Sequence, residues 1–288
     1  MNYQWYPGHM TKAVRMMQEN IKLIDLVVEV VDARIPLSSR NPDIDDLGRN
    51  KSRIVLLNKS DLADPIQNKQ WMQYFGEQGA YALEVNSKSG AGVKAVNGLV
   101  QEACREKIER DRKRGIVNRP VRAMVVGIPN VGKSTFINSF AGKACAKTGN
   151  KPGVTKGKQW IRLNKNLELL DTPGILWPKY EDQDVGMRLA FIGSMNDEIM
   201  IPEELACDLI REIYFYYPEA LKQRYALSVE ADPSQKLTAE QAAGLLEEIA
   251  VNRKCFGKGE IPDLGRAATL LIDDFRSGRL GRMTLERR

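Results

Sequence analysis

Gly127-Ile128-Pro129-Asn130-Val131-Gly132-Lys133-Ser134 has the spacing G-x-x-x-x-G-K-S, a pattern of residues suited to holding phosphate. Its glycines let backbone N–H groups approach anionic oxygens, and a helix beginning there adds the positive end of its dipole. Lys133 can reach the β- and γ-phosphates, and the Ser134 hydroxyl can ligate Mg²⁺. The candidate phosphate contacts are therefore Asn130, Val131, Gly132, Lys133, Ser134 and Thr135. Ala123–Val126, just upstream, is a short apolar run of buried-strand type, and Phe136, Ile137 and Phe140 place a helix downstream. Strand, loop and helix together imply a nucleoside triphosphate without naming its base.

The base is addressed by Asn58-Lys59-Ser60-Asp61, an N-K-x-D tetrapeptide placed directly after the apolar run Arg53–Leu57. Ligands of open α/β sheets bind at such strand ends. Guanine offers an N1–H and an exocyclic N2 amine side by side, and the Asp61 carboxylate can accept both. Adenine lacks that pair, so a carboxylate placed for it would lose its partners. Asn58 can hydrogen-bond near N7, and the Lys59 stem can cover the ring face. Asp171-Thr172-Pro173-Gly174 fits D-x-x-G, with Asp171 acting on Mg²⁺ through water and the Gly174 N–H meeting the γ-phosphate. Thr155 suits a second Mg²⁺-ligating hydroxyl, which makes Ser134, Thr155 and Asp171 the candidate metal set.

These motifs need a scaffold, and the chain supplies one. Asp25–Arg34, Arg53–Leu57 and Ala80–Val85 are strand-length apolar runs, and Trp160–Leu163 with Leu167–Leu170 makes a strand pair. Between them, Asp64-Pro65 starts a helix that turns Trp71, Tyr74 and Phe75 inward and stops near Gly76 or Gly79. A long helix from about Val93 carries Val96, Leu99, Val100 and Ala103 and becomes charge-dense over Glu106–Arg114. Val14, Met17, Ile21 and Ile24 form an amphipathic helix behind an arm containing Trp5-Tyr6-Pro7-Gly8-His9-Met10. Alternating strands and helices imply a mainly parallel sheet covered on both faces. From about residue 180 the periodicity is helical only, with Leu205, Leu209, Ile213 and Tyr217 on one face, a capping box at Thr238–Gln241, and Asp263 as a further cap. The expected division is residues 1–179 for the nucleotide domain and 180–288 for a helical one.

Composition narrows the class. The net charge of +6 permits an anionic partner, and its distribution is uneven. Gly142–Asn166 holds seven basic residues and no acid, whereas Glu203–Glu248 has ten acids against four bases. Four scattered cysteines with no CxxC pair argue for free thiols in a reducing compartment. Without a signal-peptide core or a membrane-length apolar run, a cytosolic protein with no membrane partner is expected.

Taken as a set, the motifs resemble the five guanine-nucleotide motifs of Ras-like GTPases in rotated order, base recognition first and phosphate and switch elements later. This is the arrangement of circularly permuted GTPases. Asp32-Ala33-Arg34, the Tyr6-Pro7-Gly8-His9-Met10 start and the helical C-terminal part make the chain similar to the bacterial ribosome biogenesis GTPase A family over essentially its whole length. The resemblance implies a Ras-like P-loop G domain of α/β class with an all-α C-terminal domain. It implies a GTP/GDP-binding, Mg²⁺-dependent GTPase acting as an assembly factor in late maturation of the large ribosomal subunit. The partner would be the large-subunit precursor, its rRNA and ribosomal proteins, with hydrolysis stimulated by that particle and the factor monomeric off the ribosome.

Residue by residue, Asn86-Ser87-Lys88 takes the place of S-A-K, which it matches only loosely, and Asn130 takes that of an asparagine that helps hold K⁺. Ile175 stands where Ras-like proteins place a water-orienting glutamine and has no polar atom for that work. The chain's one histidine, His9, has an imidazole suited to activating water near neutrality, so the catalytic set is His9, Lys133 and Gly174. Two other readings stand beside this one: an RNA-binding module using GTP as a structural ligand, and a P-loop ATPase or kinase, against which Asn58–Asp61 argues. Basic residues over Lys143–Lys165 and Arg276, Arg279, Arg282, Arg287 and Arg288 suit either RNA contact or a solvated surface.

Overall fold

The computed structural model describes residues 15–116, 119–146, 159–174, 182–195, 200–228 and 235–288. It forms two compact units, Met1–Gln183 together with Glu286–Arg288, and Asp184–Leu285. The return of the last three residues to the first unit differs from expectation.

The first unit is built on a six-stranded sheet. Its centre is β1 (Leu26–Asp32), buried along its whole length, which explains an apolar run without the alternation of a half-exposed strand. β2 (Ser52–Asn58) and β3 (Tyr81–Val85) extend the sheet on one side. β4 (Val121–Val126), β6 (Leu167–Asp171) and β5 (Gln159–Arg162) extend it on the other. All neighbours are parallel except β5 and β6. Glu29 sits mid-strand in β1 with 1% exposure, a position that requires compensation; Arg40 and Arg53 reach its Oε2 at 3.0 and 3.1 Å.

Helix α1 is described over residues 15–20, and α2 is the short Asp43–Leu47. The expected helix after Asp64 is α3 (Pro65–Glu77), with the Asp64 carboxylate accepting from the Ile66 N–H at 2.8 Å. Trp71 and Phe75 pack into a buried cluster with Val31, Leu57 and Ala63, while Tyr74 is half-buried beside them. The single long helix expected from Val93 is instead a 3₁₀ turn followed by α4 (Val96–Ala103) and α5 (Arg105–Lys113), broken at Cys104. A cause is visible at the break: the Ser52 hydroxyl donates to the Ala103 carbonyl at 2.6 Å, at the C-terminal end of α4. Burial there pushes the Cys104 thiol up to about 11. The helix behind the phosphate loop is α6 (Lys133–Ala141).

The second unit is helical: α7 (Gln183–Phe191, beginning one residue earlier in the first unit), α8 (Pro202–Tyr216), α9 (Pro218–Tyr225), α10 (Ala239–Asn252) and α11 (Leu264–Ser277). The caps expected at Thr238 and Asp263 both form. Asp274 is fully buried and receives Arg224 Nε at 2.8 Å, the Tyr225 hydroxyl at 2.9 Å, and Arg279. Arg276 donates to the carbonyls of Phe191 and Ala190 at 3.0 and 2.7 Å. Arg276 and Arg279 thus have structural partners within their own unit. No helix among the described residues is long and apolar enough to cross a membrane.

In the first unit, the returning tail is held by its own chemistry. Glu286 Oε2 accepts from the Leu37 N–H at 2.6 Å, and Oε1 accepts from the Ser38 N–H at 3.0 Å and from the Ser38 hydroxyl. The Glu286 carbonyl accepts from Trp71 Nε1 at 3.0 Å. The Arg288 guanidinium lies 3.7 Å from the Tyr74 ring centroid and 5.1 Å from that of Trp71. Glu286→Ala removes the acceptor of two backbone N–H groups in this loop, and should lower unfolding free energy by about 1–3 kcal/mol in urea titration.

Candidate functional site

Parallel pairing brings the candidate residues to one edge of the sheet. Asp32 pairs with Asn58 and Asn58 with Val85, while Val125 pairs with Asp171, so the loops after β1, β2, β3 and β6 leave on the same side as the phosphate loop after β4. The chain runs outward through β1, β2 and β3 and then resumes at β4 on the opposite flank of β1. That reversal between β1 and β4 is the crevice where open α/β sheets bind ligands.

At the phosphate loop, Gly132 caps α6 with φ +92, a left-handed conformation. A Cβ there would run into Asn58 Nδ2. Lys133 is buried, and its Nζ donates to the Thr172 carbonyl and lies 3.3 Å from Asp171 Oδ1. Burial lowers its pKa, against the opposing pull of the Asp171 charge. The Thr172 hydroxyl donates to the Val125 carbonyl at 2.8 Å, fastening the D-x-x-G segment to β4. Gly174 approaches so closely that a Cβ would stand 2.9 Å from Pro129 N. Lys133, Asp171 and Gly174 are therefore adjacent, as their motifs require, with Ser134 and Thr135 half-buried on the first turn of α6.

The residues of the candidate base motifs form the other half. Asn58 Nδ2 donates to the Val131 carbonyl at 2.7 Å, and its Oδ1 accepts from the Ser87 N–H at 3.0 Å. The tetrapeptide alone assigns this amide a contact near N7 of the base; the structure gives it a bracing role among three loops. Lys59 Nζ donates to the Asn130 carbonyl at 2.8 Å and pairs with Asp32 Oδ2 at 2.9 Å. Asp61 and Lys88 are exposed, Ser87 is buried, and Asn86 is half-buried. Asn86 Oδ1 accepts the N–H groups of Lys88 and Ser89, each at 3.0 Å, so the first residue of this loose S-A-K match shapes the turn itself. The buried Ser87 hydroxyl has no hydrogen-bond partner among the described residues. Such an atom fits a pocket completed by a polar ligand. His9, Thr155, Ile175 and the lysines Lys147–Lys158 lie outside the described residues.

Two residues at this edge, Asp32 and Arg34, stand out in the sequence only through the resemblance. Their signal is local: an acid and a base two residues apart at the end of the central strand, beside the crevice.

Gly132→Ala should destabilise the fold by about 1–3 kcal/mol, because it forces a left-handed alanine into the Asn58 side chain. Urea unfolding of the variant without added nucleotide measures this loss directly.

Comparison with known proteins extends these observations. Residues 122–213 match the family described as 50S ribosome-binding GTPase, a match that starts in β4 and leaves Asn58–Asp61 upstream. Ribosome biogenesis GTPase A of Bacillus cereus is 46% identical over 286 residues, covering 99% of this chain and 94% of the relative. Among solved structures, GNP-bound YlqF from T. maritima aligns with TM-score 0.64 and 28% identity over 96% of this chain and 98% of that one. The GDP-bound form of the T. maritima protein aligns with TM-score 0.63 and 26% identity, covering 94% and 98%. With near half of its residues shared across almost the whole length, and with its base motif ahead of its phosphate loop on one sheet edge, the chain belongs to the ribosome biogenesis GTPase A family and is a guanine-nucleotide-binding, GTP-hydrolysing enzyme.

Proposed function

We propose that this GTPase acts in late maturation of the large (50S) ribosomal subunit in the cytoplasm, and that the precursor particle stimulates its hydrolysis of GTP. The observation that carries the proposal is the full-length similarity to a relative named ribosome biogenesis GTPase A. The family description 50S ribosome-binding GTPase supports the choice of subunit. The helical unit and the basic excess over Gly142–Asn166 would meet rRNA and ribosomal proteins, the factor being a monomer off the particle. Mg²⁺ would be held by the Ser134 and Thr155 hydroxyls and, through water, by Asp171. Two hydroxyls and one carboxylate form an all-oxygen donor set, suited to a hard ion that takes few protein ligands and completes its shell with phosphate oxygens and water. When bound, that ion would neutralise charge on the β- and γ-phosphates.

Asp61 would read guanine through its exposed carboxylate, with Asn86, Ser87 and Lys88 closing the base side. Asp61→Asn should therefore abolish the preference for GTP over ATP while the contacts of Lys133 persist. Competition binding with the two nucleotides reads this, and an unchanged preference refutes the assignment.

Lys133 and Gly174 would stabilise the γ-phosphate, His9 would position water, and Asn130 would help hold K⁺. The decisive experiment measures GTP hydrolysis with and without large subunits, in potassium and in sodium at equal ionic strength, for the native chain and for His9→Ala. Stimulation by subunits, faster turnover in potassium, and loss of stimulation in His9→Ala with subunit binding retained are expected. Full stimulated turnover by His9→Ala assigns water activation to the ribosome instead. Failure of subunits to bind or stimulate the native chain refutes the proposal.

A further inference from the structure

Asp32 and Arg34 belong to none of the guanine-nucleotide motifs, yet their side chains are 0% and 2% exposed at the edge of the nucleotide site. The Asp32 carboxylate collects donors from two directions. Its Oδ1 accepts from the Arg34 N–H at 3.1 Å and Arg34 Nε at 2.9 Å, and its Oδ2 accepts from Arg34 Nη2 at 2.8 Å. The Lys59 ammonium joins Oδ2 at 2.9 Å. The loop beneath is fixed in turn, since the Ser39 hydroxyl accepts from the Asp32 N–H at 2.9 Å and donates to the Ile35 carbonyl at 2.7 Å.

Lys59 is the residue that this arrangement holds. Its backbone is left-handed, φ +58, and so is that of Asn130, φ +64, whose carbonyl accepts from Lys59 Nζ at 2.8 Å. Asparagine tolerates that conformation in turns, whereas lysine seldom adopts it, so at Lys59 it marks a constrained backbone. Burial alone would raise the Asp32 pKa, but the charges of Arg34 and Lys59 outweigh it and keep the carboxyl well below its usual range. The bidentate guanidinium fixes the plane of the carboxylate, leaving Oδ2 directed at Lys59. Without the negative charge, the Arg34 and Lys59 cations would repel each other across a buried space.

We infer that Asp32, oriented by Arg34, is a positioning residue for guanine-nucleotide binding, setting the Lys59 side chain so that the base loop and the phosphate loop are locked at the spacing one nucleotide spans. Neither residue needs to touch the ligand for this. Because the lock joins the base loop to Asn130 and not to Gly174, it acts on GDP and GTP alike.

The test uses the full chain and fluorescent GDP and GTP analogues. Asp32→Asn should weaken both nucleotides about 10- to 100-fold by the same factor, the loss appearing in KM while kcat at saturating GTP is retained. Lys59→Met should lose affinity as well, and adding Asp32→Asn to it should change nothing further, since the carboxylate acts through that ammonium. Wild-type affinity in Asp32→Asn overturns the inference. So does a loss that adds in full to that of Lys59→Met, the mark of a merely structural carboxylate. Should Asp32→Asn fold too poorly to assay, Asp32→Glu keeps the charge but displaces it by one methylene, and a wild-type affinity there overturns the inference equally.

Discussion

The carboxamide of Asn58 is where the nucleotide edge is tied together. One of its atoms holds the Val131 carbonyl in the phosphate loop and the other the Ser87 N–H in the loop after β3, while its own backbone ends β2. Each bond contributes about 1 kcal/mol net, yet both lie where three loops from separate strands converge. Gly132 is glycine because this side chain passes through the space a Cβ would fill. The positions of Lys59, Asn130 and Lys133 derive from the same closure, since all three belong to the loops that Asn58 joins.

Permuted motif order leaves this geometry intact. A parallel sheet presents its loops according to lateral strand position, and the order β3-β2-β1-β4-β6-β5 sets the base loops on one side of the β1–β4 crevice and the phosphate and D-x-x-G loops on the other. Chain order instead decides which element the D-x-x-G segment leads into. After Gly174 the polypeptide enters no further strand of the sheet among the described residues, and by Asp184 it has left the nucleotide-binding unit for the helical one. The covalent path from Gly174 to the helical unit is therefore short, and any nucleotide-dependent shift of that glycine would have little chain to cross.

Much of this was legible in the residues. The buried strands carry continuous apolar runs, and Asp64-Pro65, Thr238 and Asp263 announce helix starts through side-chain chemistry that needs no tertiary partner. The phosphate-loop and Asn58–Asp61 motifs were legible because each pattern is confined to a few consecutive residues. The features that escaped depend on groups distant in sequence. The break at Cys104 involves a hydroxyl at Ser52, a neighbour only after β2 has docked. Beyond its near neighbour Arg34, Asp32 is partnered by Lys59 on the adjacent strand's loop. The role of Asn58 also belongs here, because nothing in the tetrapeptide says that its amide faces protein.

The returning tail gives the molecule a topological character of its own. With the chain leaving the first unit at Gln183 and re-entering at Glu286, residues 184–285 are, in covalent terms, an insertion within the nucleotide-binding unit. The hydrogen bond from Leu37 to Glu286 joins residues 249 apart in sequence and so closes a long circuit. If the insertion were unfolded, loop-closure entropy would oppose that circuit; once folded, it replaces a long flexible span with a fixed one. The clasp on Leu37 and Ser38 is thereby thermodynamically linked to the integrity of a unit elsewhere in the chain. Unravelling of the helices would register five residues beyond Asp32, in the loop that descends from the central strand.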